Sequence, residues 1–218
     1  MDLIIPLWKP INITSFKALK SVKDTIKGAK VGHAGTLDPF AEGLLIACTG
    51  KKTKQVESIM SMDKEYICNI KLGVQTDTHD NTGKIIGIKK VPKLTDGKVK
   101  KVISNFIGEI KQRPPKFSAL KIFGVRSYQM ARNGLEFSLL PRKITIYSID
   151  LLDYDDKSIK IKVNCGKGTY IRSLCRDIAL ALNTAGYIDS LVRTKVGIYD
   201  KSKAIHINEV QNWIHSKI

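Results

Sequence analysis

Residues 143–182 read KITIYSIDLLDYDDKSIKIKVNCGKGTYIRSLCRDIALAL. In the middle of this stretch Ile159, Ile161, Val163 and Cys165 alternate with Lys160, Lys162 and Asn164. That is the two-residue repeat of a strand with one buried and one wet face. Residues 143–152 form a second strand, paired antiparallel with the first across the turn DYDDK. After a Gly-Lys-Gly turn the spacing lengthens. Ile171, Leu174, Cys175, Ile178 and Leu182 recur at the helical period, and Thr169 is the expected cap. Strand pairs mixed with separate helices predict an α+β fold rather than a doubly wound parallel sheet.

The same periods recur upstream. EYICNIKL at 65–72 places Tyr66, Cys68, Ile70 and Leu72 on one strand face. TDTHDNTGK follows as a turn and KIIGI as a second strand. Thr95 or Asp96 caps a helix carrying Val99, Val102, Ile103, Phe106 and Ile107, and Thr14-Ser15 caps another whose apolar face is Phe16, Leu19, Val22 and Ile26. Residues 112–134 are basic and proline-led, and read as an exposed segment with one short helix. Residues 28–43, GAKVGHAGTLDPFAEG, read as a glycine-rich loop before the buried strand LLIAC, with backbone held in unusual conformations.

The chain has 218 residues, with 37 Lys+Arg against 20 Asp+Glu and a net charge of +17. A domain this basic is predisposed to bind a polyanion, although bases scattered evenly over the surface give the same balance. No apolar run is long enough to cross a membrane. The start, MDLIIPLWKP, lacks the basic region of a secretory signal. A cytoplasmic, monomeric protein is the expectation. Cysteines at 48, 68, 165 and 175 and histidines at 33, 79, 206 and 215 have neither disulfide-framework nor zinc spacing. Cys48, Cys68 and Cys165 lie in apolar or alternating runs and are read as core residues.

Asp38 is the leading candidate for chemistry. Pro39 holds it out of the helical region, and glycines at 32, 35 and 43 let backbone approach a ligand. Such a carboxylate can be a nucleophile, a general base or a metal ligand; an ordinary Asp-Pro turn is the plainer reading. His33, in the same loop, can be an acid, a base, a stacking wedge or a structural residue. Arg172 opens the helix after Gly-Lys-Gly, where the helix dipole slightly disfavours a cation and a carboxylate partner is therefore plausible chemistry. Asp77, His79 and Asp80 are read as a tight turn rather than a metal cluster. A phosphohydrolase built on Asp38 needs a second close carboxylate and Mg²⁺, and here only Glu42 is near in sequence.

Taken together, these segments resemble the TruB family of pseudouridine synthases, which act on the uridine at position 55 in the T-arm of tRNA. The resemblance runs from Lys9 to about Gly197. It rests on KPINITS at 9–15, GHAGTLDPFAEGLL at 32–45, DKEY at 63–66, GVQTDTHDNTG at 73–83, QRPPKFSALKIFGVRSYQMARNG at 112–134, KGTYIRSL at 167–174 and LVRTKVG at 191–197. Asn12 stands where the family usually has glycine, and Phe117 where it usually has tyrosine. The resemblance implies that Asp38 is the nucleophile. It also implies that Tyr66 stacks on the target base and handles a proton, and that Arg172 is the ion-pair partner of Asp38. His33, Tyr170 and Leu191 align with positions lining the flipped nucleotide. The implied fold is a central, mostly antiparallel mixed sheet flanked by helices and loops. One catalytic domain over 1–218 is expected, with an RNA-clamping insertion at about 112–140. A C-terminal module of the PUA type is expected to be absent. tRNA is the implied partner. No cofactor or metal is implied, because the reaction is an isomerisation.

Overall fold

Residues 42–49, EGLLIACT, form a strand buried along nearly its whole length. The continuous apolar run has a physical cause: both faces of this strand are covered. Leu45 and Ala47 join a cluster with Ile5, Leu7, Ala18, Leu19, Val22, Ile26, Ile205, Val210 and Ile214. Leu44, Ile46 and Cys48 point the other way, into a cluster with Ala34, Ile59 and Val196.

The computed structural model describes residues 1–217. In chain order the first strands are β1 (Ile4–Lys9), β2 (Val31–Ala34), β3 (Glu42–Thr49), β4 (Lys64–Leu72), β5 (Val74–Thr76), β6 (Ile85–Ile88) and β7 (Gly108–Gln112). They are followed by β8 (Lys121–Ile122), β9 (Val125–Arg126), β10 (Arg142–Tyr154), β11 (Ser158–Cys165), β12 (Gly186–Val196), β13 (Tyr199–Asp200) and β14 (Ile205–His206). The helices are α1 (Ser15–Ala18), α2 (Lys20–Thr25), α3 (Val56–Ser61), α4 (Asp96–Ser104), α5 (Ser127–Arg132), α6 (Ile171–Ala181) and α7 (Val210–His215). None of them is long and apolar enough to cross a membrane.

Within the span expected to act as one domain, the chain forms two compact units. One comprises residues 1–67 with 191 onward, the other residues 68–190. In the first, β14, β1, β3 and β12 lie side by side, with β2 on β3 and β13 on β12. β1 and β2 run antiparallel to β3, while β14 is parallel to β1 and β12 is parallel to β3. In the second, β4, β11, β10 and β7 are neighbours, and β10 is antiparallel to both β11 and β7. Mixed but mostly antiparallel strands with separate helices are the α+β arrangement that the residue patterns predict.

The strand pair that opened the reading is present. Ile149 pairs with Val163 and Leu151 with Ile161, and two bulges bend β10. On β4, Tyr66, Cys68, Ile70 and Leu72 are all buried, as their alternation predicts. Cys68 and the α6 residue Cys175 approach to 3.8 Å between sulfurs, and all four cysteines are buried.

Five local expectations differ from the structure. α4 ends at Ser104, so Phe106 and Ile107 lie outside it. The helix after Thr14 is two short helices hinged at Leu19. The buried side is Ser15, Ala18, Leu19, Val22 and Ile26, at helical spacing through the break; Phe16 lies off that side and is 70% exposed, its ring under Lys23 Nζ at 4.5 Å. The glycine-rich stretch contains strand β2, because Val31–Ala34 can pair with β3. Residues 112–134 hold the β8–β9 hairpin as well as the expected helix. Thr169 does not cap α6: Tyr170 occupies the cap position, and the Thr169 hydroxyl donates back to the Gly166 carbonyl.

Candidate active site

Asp38 sits half-buried in the connection between β2 and β3, and the backbone on both sides of it is tied down. The Leu37 N–H donates to Ser15 Oγ at 2.9 Å, and the Ser15 hydroxyl donates to the Leu37 carbonyl at 3.0 Å. The Asn12 N–H donates to the Pro39 carbonyl at 2.7 Å. Asn12 itself has φ +63°. Asparagine suits this position because it tolerates left-handed backbone better than most residues.

Two buried cations complete the frame. Lys9 is fully buried and its ammonium donates to the carbonyls of Pro10 (2.9 Å), Ile13 (2.8 Å) and Pro39 (3.4 Å). Burial lowers its pKa to about 8; the negative field of Asp38 opposes that shift, and Arg193 adds to it. Arg193 is equally buried. Its Nε donates to the Leu44 carbonyl at 2.7 Å, Nη2 to Gly35 at 3.1 Å and Nη1 to Thr36 at 3.4 Å. A guanidinium offers donors in a fixed fork, and here the fork spans both ends of the connection that carries Asp38. Gly43 has φ +114°, and a Cβ on it would lie 2.4 Å from the Arg193 carbonyl oxygen.

His33 lies on β2 of the same unit, half-buried. Burial holds its pKa below the ordinary 6.5; a backbone hydrogen bond at Gly35 opposes this and the charge of Arg193 reinforces it. The ring is therefore neutral at pH 7, suited to stacking or hydrogen bonding rather than to acting as a cation. Tyr66 and Leu191, both buried, also belong to this unit.

Tyr170 and Arg172 belong to the second unit. The Tyr170 N–H donates to Gln112 Oε1 at 2.8 Å. Arg172 is 6% exposed, and its guanidinium donates to Asp80 Oδ2 (3.3 Å) and to the carbonyls of Thr78 (3.1 Å) and Phe117 (2.9 Å). Asp80 in turn accepts from the Thr78 hydroxyl (2.7 Å) and from the N–H (3.0 Å) and hydroxyl (2.6 Å) of Thr82. The tight-turn reading of TDTHDNTG is correct, yet the turn also delivers a buried carboxylate to Arg172. His79, at φ +61°, is held at a pKa of about 4 by burial and by Arg176 and Arg172. No cluster of potential metal ligands occurs among the described residues.

Sequence reasoning missed Lys9, Arg193 and Asp80. A charge at an inward strand position is the signal that was available for Arg193, two residues after Leu191. Lys9 closes an apolar run immediately before proline. Asp80 is chemically ordinary for a turn, and nothing local marks it as buried.

A model of the TruB family pseudouridylate synthase N-terminal domain matches residues 23–171 of this chain. The chain belongs to the TruB family of pseudouridylate synthases. A second TruB model, for the tRNA pseudouridylate synthase B C-terminal domain, matches residues 172–217. Its TruB relatives include the tRNA pseudouridine synthase B of Clostridium tetani, 43% identical over 96% of this chain and 73% of that protein. That of Borreliella afzelii is 46% identical over 85% of this chain and 66% of that protein. Among solved structures, a Cbf5-Nop10-Gar1 complex matches 99% of the chain with TM-score 0.74 and 27% identity. An H/ACA RNP bound to a substrate RNA containing 2′-deoxyuridine matches with TM-score 0.70 and 25% identity. The chain spans 56% and 55% of those two matched chains. The TruB assignment makes the fold a pseudouridine-synthase fold.

Proposed function

We propose that this TruB-family chain isomerises uridine to pseudouridine at position 55 in the T-arm of tRNA, using Asp38 as its nucleophile. The reading is carried by one observation: a half-buried aspartate on a backbone fixed by Ser15, Asn12, Lys9 and Arg193. Preorganisation of this kind stabilises charge at a reacting centre without reorganisation during the reaction.

The reaction conserves atoms. The N1–C1′ bond breaks, the uracil turns, and C5 joins C1′. The C5 proton is then lost and N1 regains one. The carboxylate of Asp38 acts on the nucleotide directly or first removes a ribose proton. Both routes need it ionised, and the positive charge of Lys9 favours that state. Arg172 is proposed, from the family resemblance, as the cationic partner in the same reaction. The target base leaves its stack at a cost of a few kcal/mol. Tyr66 offers it a ring, with His33, Tyr170 and Leu191 lining the flipped nucleotide.

The test is tritium release from C5-labelled uridine in a T-arm transcript. Wild-type chain releases tritium in EDTA, while Asp38→Asn binds the RNA and releases none. Release by Asp38→Asn at the wild-type rate overturns the assignment. Release that requires added Mg²⁺ points instead to metal-assisted chemistry. In the same assay Tyr66→Phe retains RNA binding and Tyr66→Ala weakens it, as a stacking ring requires.

A further inference from the structure

The β8–β9 hairpin pairs Lys121 with Arg126 and Ile122 with Val125, which leaves Phe123 and Gly124 as a two-residue loop. Their φ angles are +48° and +84°. Positive φ at both loop positions is the type I′ pattern, which strongly favours Asn-Gly or Gly-Gly. Glycine meets that demand at position 124. An aromatic L-residue at 123 does not, because its Cβ crowds the backbone there. Nor does the ring gain anything by burial, for Phe123 is 101% exposed. This turn therefore carries a residue that local folding disfavours twice, by backbone strain and by an apolar ring held in water.

The surroundings identify what the ring meets. Residues 111–134 contain Lys111, Arg113, Lys116, Lys121, Arg126 and Arg132 and no acidic side chain. The base of the hairpin is anchored: the Ser127 N–H donates to the Leu120 carbonyl at 2.7 Å and the Tyr128 N–H to the Ser118 carbonyl at 3.0 Å. The Arg126 guanidinium also donates to the Ala119 carbonyl. A free aromatic face on an anchored stalk, amid unopposed positive charge, is the combination that holds single-stranded nucleic acid, whose bases stack while the phosphates are neutralised. We infer that Phe123 is a base-stacking residue of the substrate site, engaging an unpaired nucleotide of the RNA. This inference rests on the RNA-modifying function proposed above.

Phe123→Asn is the informative variant because it suits the turn. Its melting temperature should equal or exceed that of the wild type. Its dissociation constant for a T-arm hairpin should rise at least about fivefold, while affinity for heparin, which has charge but no bases, stays within about twofold. Phe123→Trp should bind the hairpin as the wild type does. A fluorescent adenine analogue placed in turn at unpaired loop positions should be quenched at one of them by wild type and Phe123→Trp, and not by Phe123→Asn. Wild-type affinity and quenching in Phe123→Asn overturn the stacking role alone, as does an equal loss of heparin binding. A wild-type chain that binds no RNA overturns the functional reading together with this one.

Discussion

Burial strips water from the Lys9 ammonium, and its proton is correspondingly easier to lose. Its pKa falls from 10.5 to about 8 on folding. Between those values the unfolded chain binds more protons than the folded one, so stability rises with pH from about 8 to about 10.5 and is lost as pH falls through 8. Lys9→Met should flatten that rise in urea midpoints measured against pH. It should also lower tritium release, since both the Pro39 anchor and the charge beside Asp38 go with it. Asp80 poses the opposite case, an anion buried against a cation, with side-chain exposures of 6% and 7% for Asp80 and Arg172. Removing one member of a buried pair costs about 3–5 kcal/mol. Asp80→Ala should shift the urea midpoint accordingly, and Asp80→Asn by less, because the amide oxygen still accepts hydrogen bonds. Neither Lys9 nor Asp80 is legible from its neighbours: the burial of a charge depends on what the rest of the chain places over it.

Among the elements, those whose pattern reports one buried face were legible. β4, β11 and α6 alternate or repeat at the period of their own geometry, and each buries the face so marked. Elements whose burial depends on distant chain were not. β12 carries Arg193 inward, and Gly43 of β3 faces the backbone of that residue. Gly43→Ala should destabilise by more than about 2 kcal/mol, since it combines positive φ with a backbone clash. Gly97 in α4 is the control. It has nothing within 4 Å of an added Cβ and no positive φ, so Gly97→Ala should stabilise by about 0.5–1 kcal/mol. Thermal or urea unfolding of the pair separates the two cases. A Gly43→Ala chain as stable as the wild type would show that the parallel β3–β12 contact yields easily. Phe16 makes a related point on a helix: the buried side is set by Ser15, Ala18, Leu19, Val22 and Ile26, and an apolar residue one position off that side faces solvent.

For the molecule as a whole, the +17 charge has a measurable consequence if the ligand is RNA. Several phosphate contacts release counterions, so affinity for a T-arm hairpin should fall roughly 10- to 100-fold between about 50 and 200 mM salt. A flat plot of log affinity against log salt would contradict electrostatic binding. Charge, strand and helix periods, and ordered motifs such as GHAGTLDPFAEGLL are local properties of the chain. They determined the α+β class and the family and singled out Asp38 as the candidate nucleophile, because periodicity and residue chemistry are written in adjacent positions. What holds Asp38 in place was decided only in three dimensions. Ser15, Lys9 and Arg193 reach the backbone at Leu37, Pro39 and Thr36 across 22, 30 and 157 positions, and Asp80 reaches Arg172 across 92. Contacts of that range exist only after the strands pair, since pairing is what brings those side chains to the carbonyls and carboxylate they serve.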